Sequence, residues 1–237
     1  GLMILFDIMF IASVLALNTL AKYFAQSLAA PTVWSSAFIF ITFSLIFYLI
    51  LLFAYSFFKY IILDQVKSLF DKTEFSFRRL GQFYSLNIVI AGIFFAAMLI
   101  ANFLLASIKI QYRPFVFIFL AAPYLMFLYV ILNTSHSLFY EGTSIKEAIK
   151  KSFRITFTKM KVYRETVLIM IFIALALWLL FLGSGYLVRL LASKNYNLYL
   201  NAYSYFKQAS IIVFDSVFYL VILINRISFY AMAREKK

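Results

Sequence analysis

The chain contains no cysteine, which removes disulfides, thiolate metal sites and cysteine nucleophiles together. Its one histidine, His136, leaves no material for a His-rich metal or haem site, and no cofactor is expected. Acidic residues are also scarce, nine against 22 Lys and Arg. Charged residues of both signs make up only 13% of the chain, while 65% are hydrophobic. A soluble domain carries roughly 25% charge and about 45–50% apolar residues. So little polar material cannot cover a core of this size in water, so the solvent has to be a bilayer. Zincin helices, phosphate-binding glycine loops and dinucleotide fingerprints are absent as well.

What is present fits that solvent. The 30 Phe and 17 Tyr are comfortable in lipid and at its interfaces. A span needs about 20 mostly apolar residues, and six runs qualify: about 2–24, 34–58, 83–108, 114–138, 162–188 and 208–230. The predicted fold is therefore all-α, one transmembrane bundle of six spans over residues 1–237. The first run, from Leu2, is long for a signal peptide and has no basic flank before it, so it is read as a retained helix. The second continues past Lys59 with Phe58, Ile62, Val66 and Leu69 at helical spacing, which predicts a helix projecting beyond the membrane. Pro114 suits the first turn of the fourth span, and Pro123 near its middle predicts a kink.

The net charge of +13 invites a nucleic-acid reading, but the cations sit in short tracts between apolar runs, as membrane loops do. Lys59, Lys67, Lys72, Arg78 and Arg79 separate spans two and three. Lys146, Lys150, Lys151, Arg154, Lys159, Lys161 and Arg164 separate spans four and five, and Arg226, Arg234, Lys236 and Lys237 close the chain. These sixteen share one side, against six on the other. Cytoplasmic loops are enriched in Lys and Arg, so both termini are expected to be cytoplasmic. The opposite tract, between spans five and six, mixes Tyr186, Tyr196, Tyr199, Tyr203 and Tyr205 with leucines and asparagines. Tyrosine favours the headgroup level, and this tract predicts a short interfacial helix and turn.

The stretch Glu141 to Arg164 says most. Gly142 suits the C′ position ending the fourth span, and Ser144 with Glu147 fits a capping box. Ile145, Ile149, Phe153, Phe157 and Met160 then recur at three and four, with Lys146, Lys150, Lys151, Arg154, Lys159 and Lys161 around them. An amphipathic basic helix over about 144–160 is expected to lie in the interface plane and to meet anionic headgroups or a protein subunit. The same cations would also serve as ordinary anchors on the positive side.

An acidic-Gly pair closing a span, then Ala148-Ile149-Lys150-Lys151-Ser152-Phe153, then another long span, resembles the membrane-domain superfamily of glycerophosphoryl diester phosphodiesterases and related six-helix membrane proteins. The resemblance covers about 50 residues around spans four and five. It implies a membrane module without chemistry of its own, since the family's hydrolase is a separate soluble domain.

Ionisable and amide groups within spans are functional suspects. Asp215 lies about a third of the way into span six, and Asn87 and Asn102 in span three are possible partners for an ion or proton route. The alternative is a structural polar clasp. Asp7 and Arg226 lie at similar depth and could form an ion pair, while Asn18 and Asn133 read as interhelical hydrogen-bonding residues. Catalytic pairings fail on geometry. Ser184 and His136 belong to opposite ends of their spans, about 30 Å apart, and Asp7 and Asp215 belong to opposite leaflets. His136 reads as a satisfied interfacial residue. Three functions remain: a non-catalytic scaffold, complex subunit or lipid-interacting module; a transporter or channel using Asp215; and an insertase-like helper.

Overall fold

A computed structural model describes residues 2–27, 34–73, 75–158, 161–192 and 196–234. Seven helices account for nearly all of them: α1 (Leu2–Ser27), α2 (Trp34–Ser68), α3 (Phe77–Ala106), α4 (Arg113–Tyr140), α5 (Ile145–Thr158), α6 (Lys161–Ala192) and α7 (Tyr196–Arg234). A single 3₁₀ turn, Ile110–Tyr112, joins α3 to α4, and no strand occurs among the described residues. All but α5 are long and apolar enough to cross a membrane. Their large apolar side chains stand outward: Phe103 is 82% exposed and Phe119 80%. Water would not tolerate apolar surface on that scale. The chain is a multi-pass integral membrane protein.

It divides into two compact units, one within residues 1–153 and one within 154–236. In the first, α1 packs on α2, α2 on α3 and α3 on α4, each pair antiparallel. At about 1.5 Å per residue, the 35 residues of α2 reach roughly 50 Å, well beyond a hydrocarbon core of about 30 Å. This is the projection expected past Lys59. Arg113, the first residue of α4, donates from Nε to Ile108 O at 2.9 Å and from Nη2 to Ala106 O at 3.0 Å. Its charge thereby closes the C-terminal carbonyls of α3 and fixes the tight return. α4 continues through Pro123, and the next residue, Tyr124, donates to Phe94 O of α3 at 2.9 Å. Ten residues nearer the start of α3, Tyr84 donates to Leu49 O of α2 at 3.1 Å.

The far end of α4 is its most enclosed part. Residues 133–141 are buried without a break, so this stretch of helix has no lipid-facing side. It closes in a Schellman motif: Thr143 N–H donates to Leu138 O and Gly142 N–H to Phe139 O, with Gly142 at φ +99°. Gly142 thus holds the C′ position read from the sequence, because only glycine takes that backbone angle without strain.

The second unit is an α6–α7 antiparallel hairpin. Gly185 lets Phe206 approach closely, since a Cβ at that position would stand 3.2 Å from the Phe206 ring. The tyrosine-rich tract differs from its expected form. It makes no separate interfacial helix, because α6 runs through Tyr186 to Ala192 and α7 starts at Tyr196. Tyr199 and Tyr203 stack along α7 with ring centres 5.6 Å apart. Polarity there marks the exit from hydrocarbon, yet α6 and α7 each run on into it as α-helix.

Candidate functional site

α5 starts where its capping residues require. Ser144 is the N-cap and Glu147 N–H reaches its Oγ at 3.4 Å, the forward half of a capping box. The cations Lys146, Lys150, Lys151 and Arg154 are all exposed. The most deeply buried positions are Ala148, Ser152, Ile155 and Thr156. The expected face of Ile145, Ile149, Phe153 and Phe157 is rotated from these by roughly 95° at about 100° per residue. Along that flank exposure grows, and Phe157 is 58% exposed. An apolar edge therefore borders the row Lys146, Lys150 and Arg154. Lys159 and Met160 lie outside the described residues, and Lys161 opens α6.

The surrounding end of the first unit holds a polar network that spacing alone does not disclose. Asn87 of α3 is its centre: its Nδ2 donates to Ser56 Oγ at 2.9 Å, and its Oδ1 lies 2.6 Å from His136 Nε2. The amide oxygen only accepts, so Nε2 carries the hydrogen. His136 is fully buried between Phe83, with ring centres 4.7 Å apart, and Tyr55 at 6.2 Å. Its Nδ1 has no hydrogen-bond partner. His136 is thus an interior residue satisfied at one nitrogen, where the sequence suggested an interfacial one. Lys59 is buried too, donating to Asn133 Oδ1 at 3.3 Å, although its position suggests a loop cation. Asn133 is the interhelical partner expected of it.

Outward from this network lies a cleft of about 590 Å³ lined by Asp64, Lys67, Lys72, Thr73, Ser76, Arg79 and aromatic rings. Asp64 is already engaged: Tyr140 donates to Oδ1 at 2.6 Å and Thr73 to Oδ2 at 3.3 Å. Lys67 Nζ stands 5.7 Å from the centre of the Tyr140 ring, on its face. A second cleft of about 470 Å³ shares Arg79 and adds Gln82, Phe139, Gly142, Thr143, Ser144, Ile145 and Lys146. Arg79 Nη2 lies over the bare Gly142 turn, 3.6 Å from where a Cβ would be.

The suspected intramembrane polar residues do not gather into one site. Asn87 spends its amide on Ser56 and His136. Asn102, 15 residues along α3 and so roughly 22 Å away, is exposed beside an apolar cleft of about 380 Å³ with Met98, Phe117 and Tyr124. Asp215 belongs to the second unit, exposed in a groove of about 390 Å³ with Trp178, Phe206, Lys207 and Phe214. Asn18 is exposed on α1 and makes no hydrogen bond among the described residues. Asp7 is buried, and Arg226 belongs to the other unit. No set of His, Asp and Glu able to hold a metal ion occurs among the described residues.

No family model, curated protein or solved structure matches this chain.

Proposed function

We propose that this protein is a non-catalytic multi-pass membrane module that engages anionic lipid headgroups on the cytoplasmic side. The observation that carries the reading is α5, which sets four exposed cations beside a half-exposed edge of Ile149, Phe153 and Phe157. Such a helix buries its edge at the acyl boundary while its cations meet phosphates. Each cation near an anionic surface contributes on the order of 1 kcal/mol. Sixteen of 22 basic residues lie in tracts that the six-span reading assigns to the side of α5, which supports a cytoplasmic side by the positive-inside rule. The resemblance of spans four and five to the membrane-domain superfamily of glycerophosphoryl diester phosphodiesterases accords with a module lacking its own chemistry.

The chain has no native cysteine, so a single Phe157→Cys label reports α5 alone. In nanodiscs, quenchers placed along the acyl chain should reach this label better as anionic lipid is added. Changing Lys146, Lys150, Lys151 and Arg154 together to Gln should remove that dependence. Equal quenching in neutral and anionic discs for the parent chain would refute the reading.

A further inference from the structure

The two clefts that share Arg79 are rich in donors and poor in acceptors. Lys67, Lys72 and Arg79 line one, and Arg79 and Lys146 line the other. Asp64 is the one carboxylate among the described residues lining either cleft, and both its oxygens already accept hydrogen bonds from Tyr140 and Thr73. Among the described residues, Arg79, Lys72 and Lys146 have no ion-pair or hydrogen-bond partner for their charged ends. The same holds for the Gln82 amide, and Ser76, the N-cap of α3, makes no side-chain capping bond. Ser144 Oγ accepts from Glu147 N–H, which leaves its own hydrogen available to a ligand. Among the described lining residues four cations stand against one engaged anion, so a further negative charge entering there would relieve their mutual repulsion.

The placement of Arg79 shows how that charge would be held. Its guanidinium is laid across Gly142, where the absent Cβ leaves the turn bare, and so is directed into the cleft that holds Gln82, Ser144 and Lys146. A guanidinium presents two parallel N–H donors matched to a phosphate edge, and a lysine adds a point charge beside it. The volumes of both clefts fall in the range of small-molecule sites, about 300–1,000 Å³. A phosphomonoester carries roughly −1.5 to −2 charges at pH 7 and three strong acceptor oxygens. A phosphodiester offers one charge and two free oxygens, a poorer match to this surplus.

We infer that the paired clefts form a phosphomonoester-binding site. Arg79 is the bidentate anchor, Lys146, Gln82 and Ser144 are the neighbouring donors, and Lys67 and Lys72 supply the field from the adjoining cleft. The inference deepens the lipid-headgroup reading above and rests on it only in setting the clefts at headgroup depth. A lipid such as phosphatidic acid and a soluble phosphomonoester both present this phosphate; the test separates these sources.

The purified full chain in detergent micelles is titrated with dioctanoyl phosphatidic acid, dioctanoyl phosphatidylglycerol, glycerol 3-phosphate and inorganic phosphate, with binding followed by native mass spectrometry. Phosphatidic acid should bind about tenfold more tightly than phosphatidylglycerol. Arg79→Gln should erase that preference, and Lys109→Gln, at an exposed lysine that lines neither cleft, should leave it intact. Competition by glycerol 3-phosphate at comparable affinity upholds the site and assigns it a soluble ligand, whereas failure to compete assigns it the lipid. Should Arg79→Gln fail size-exclusion as a folded species, Lys146→Gln on exposed α5 reads out the same loss. Equal affinity for the two lipids, or a preference that survives Arg79→Gln and Lys146→Gln, overturns the inference. Because α5 depth is measured separately by quenching at residue 157, loss of this preference and loss of the α5 response are distinguishable outcomes.

Discussion

Replacing Asn87 by Leu tests the central network most sharply. The change keeps the side chain's length and removes both polar ends. His136 then loses the acceptor of its Nε2 hydrogen, 2.6 Å away, in a site with no exposure and with Nδ1 already unpartnered. A buried donor left without a partner costs about 1–3 kcal/mol. Ser56 fares better, because its own hydroxyl still donates to Leu52 O at 2.6 Å and only its role as acceptor is lost. That second loss corresponds to an interhelical bond in a membrane, on average about 0.6 kcal/mol. Asn87→Leu should therefore destabilise the first unit by about 2–3 kcal/mol. Adding His136→Phe removes the stranded imidazole and sets an apolar ring between Phe83 and Tyr55. Replacing both members of a buried pair is close to neutral, so the double variant should recover about 1–2 kcal/mol relative to the sum of the singles. Unfolding of the full chain in mixed micelles with increasing SDS, followed by steric trapping, measures all four corners of this cycle. A single change within about 0.5 kcal/mol of the parent, or strictly additive effects, would refute the reasoning.

Two further outcomes follow from particular residues. Gly142→Ala must place a Cβ at φ +99° and beside Arg79 Nη2, so it should destabilise the chain by about 1–2 kcal/mol in the same SDS assay; an unchanged midpoint would mean that the Schellman turn carries no strain. Asp215→Asn should leave stability within about 0.5 kcal/mol, because Asp215 is exposed and has no hydrogen-bond partner among the described residues; a larger loss would place that carboxylate in the packing of the protein.

Local features of the fold were legible in the sequence because they depend on near neighbours. Apolar length gave the six spans, helical spacing gave the extension of α2, and Ser144, Glu147 and Gly142 marked the boundaries around α5. The polar network was legible only as separate members. Asn87 and His136 are 49 residues apart, Lys59 and Asn133 are 74, and Asp64 and Tyr140 are 76. Nothing in the periodicity of one helix says which rung of another it meets. Asp64, Tyr140 and Thr73 carry no mark of a site in the sequence, because a lone acid beyond a span looks like solvated loop. The buried face of α5 lies about a quarter turn from the one its hydrophobic spacing predicts, for a related reason. Small residues such as Ala148 and Ser152 permit the closest approach of a neighbour, while hydrophobic spacing points to the larger ones beside them.

The unbroken burial of residues 133–141 bears on how freely this chain can change. A helix against lipid accepts almost any greasy side chain on its outer half, as most of α1 should, where Asp7 alone is buried among the described side chains. The last turns of α4 have no such tolerant half, so every substitution there meets a neighbour. A comprehensive variant library should show a narrow band of intolerance across these nine positions, and diverging copies of the protein should drift last in that band.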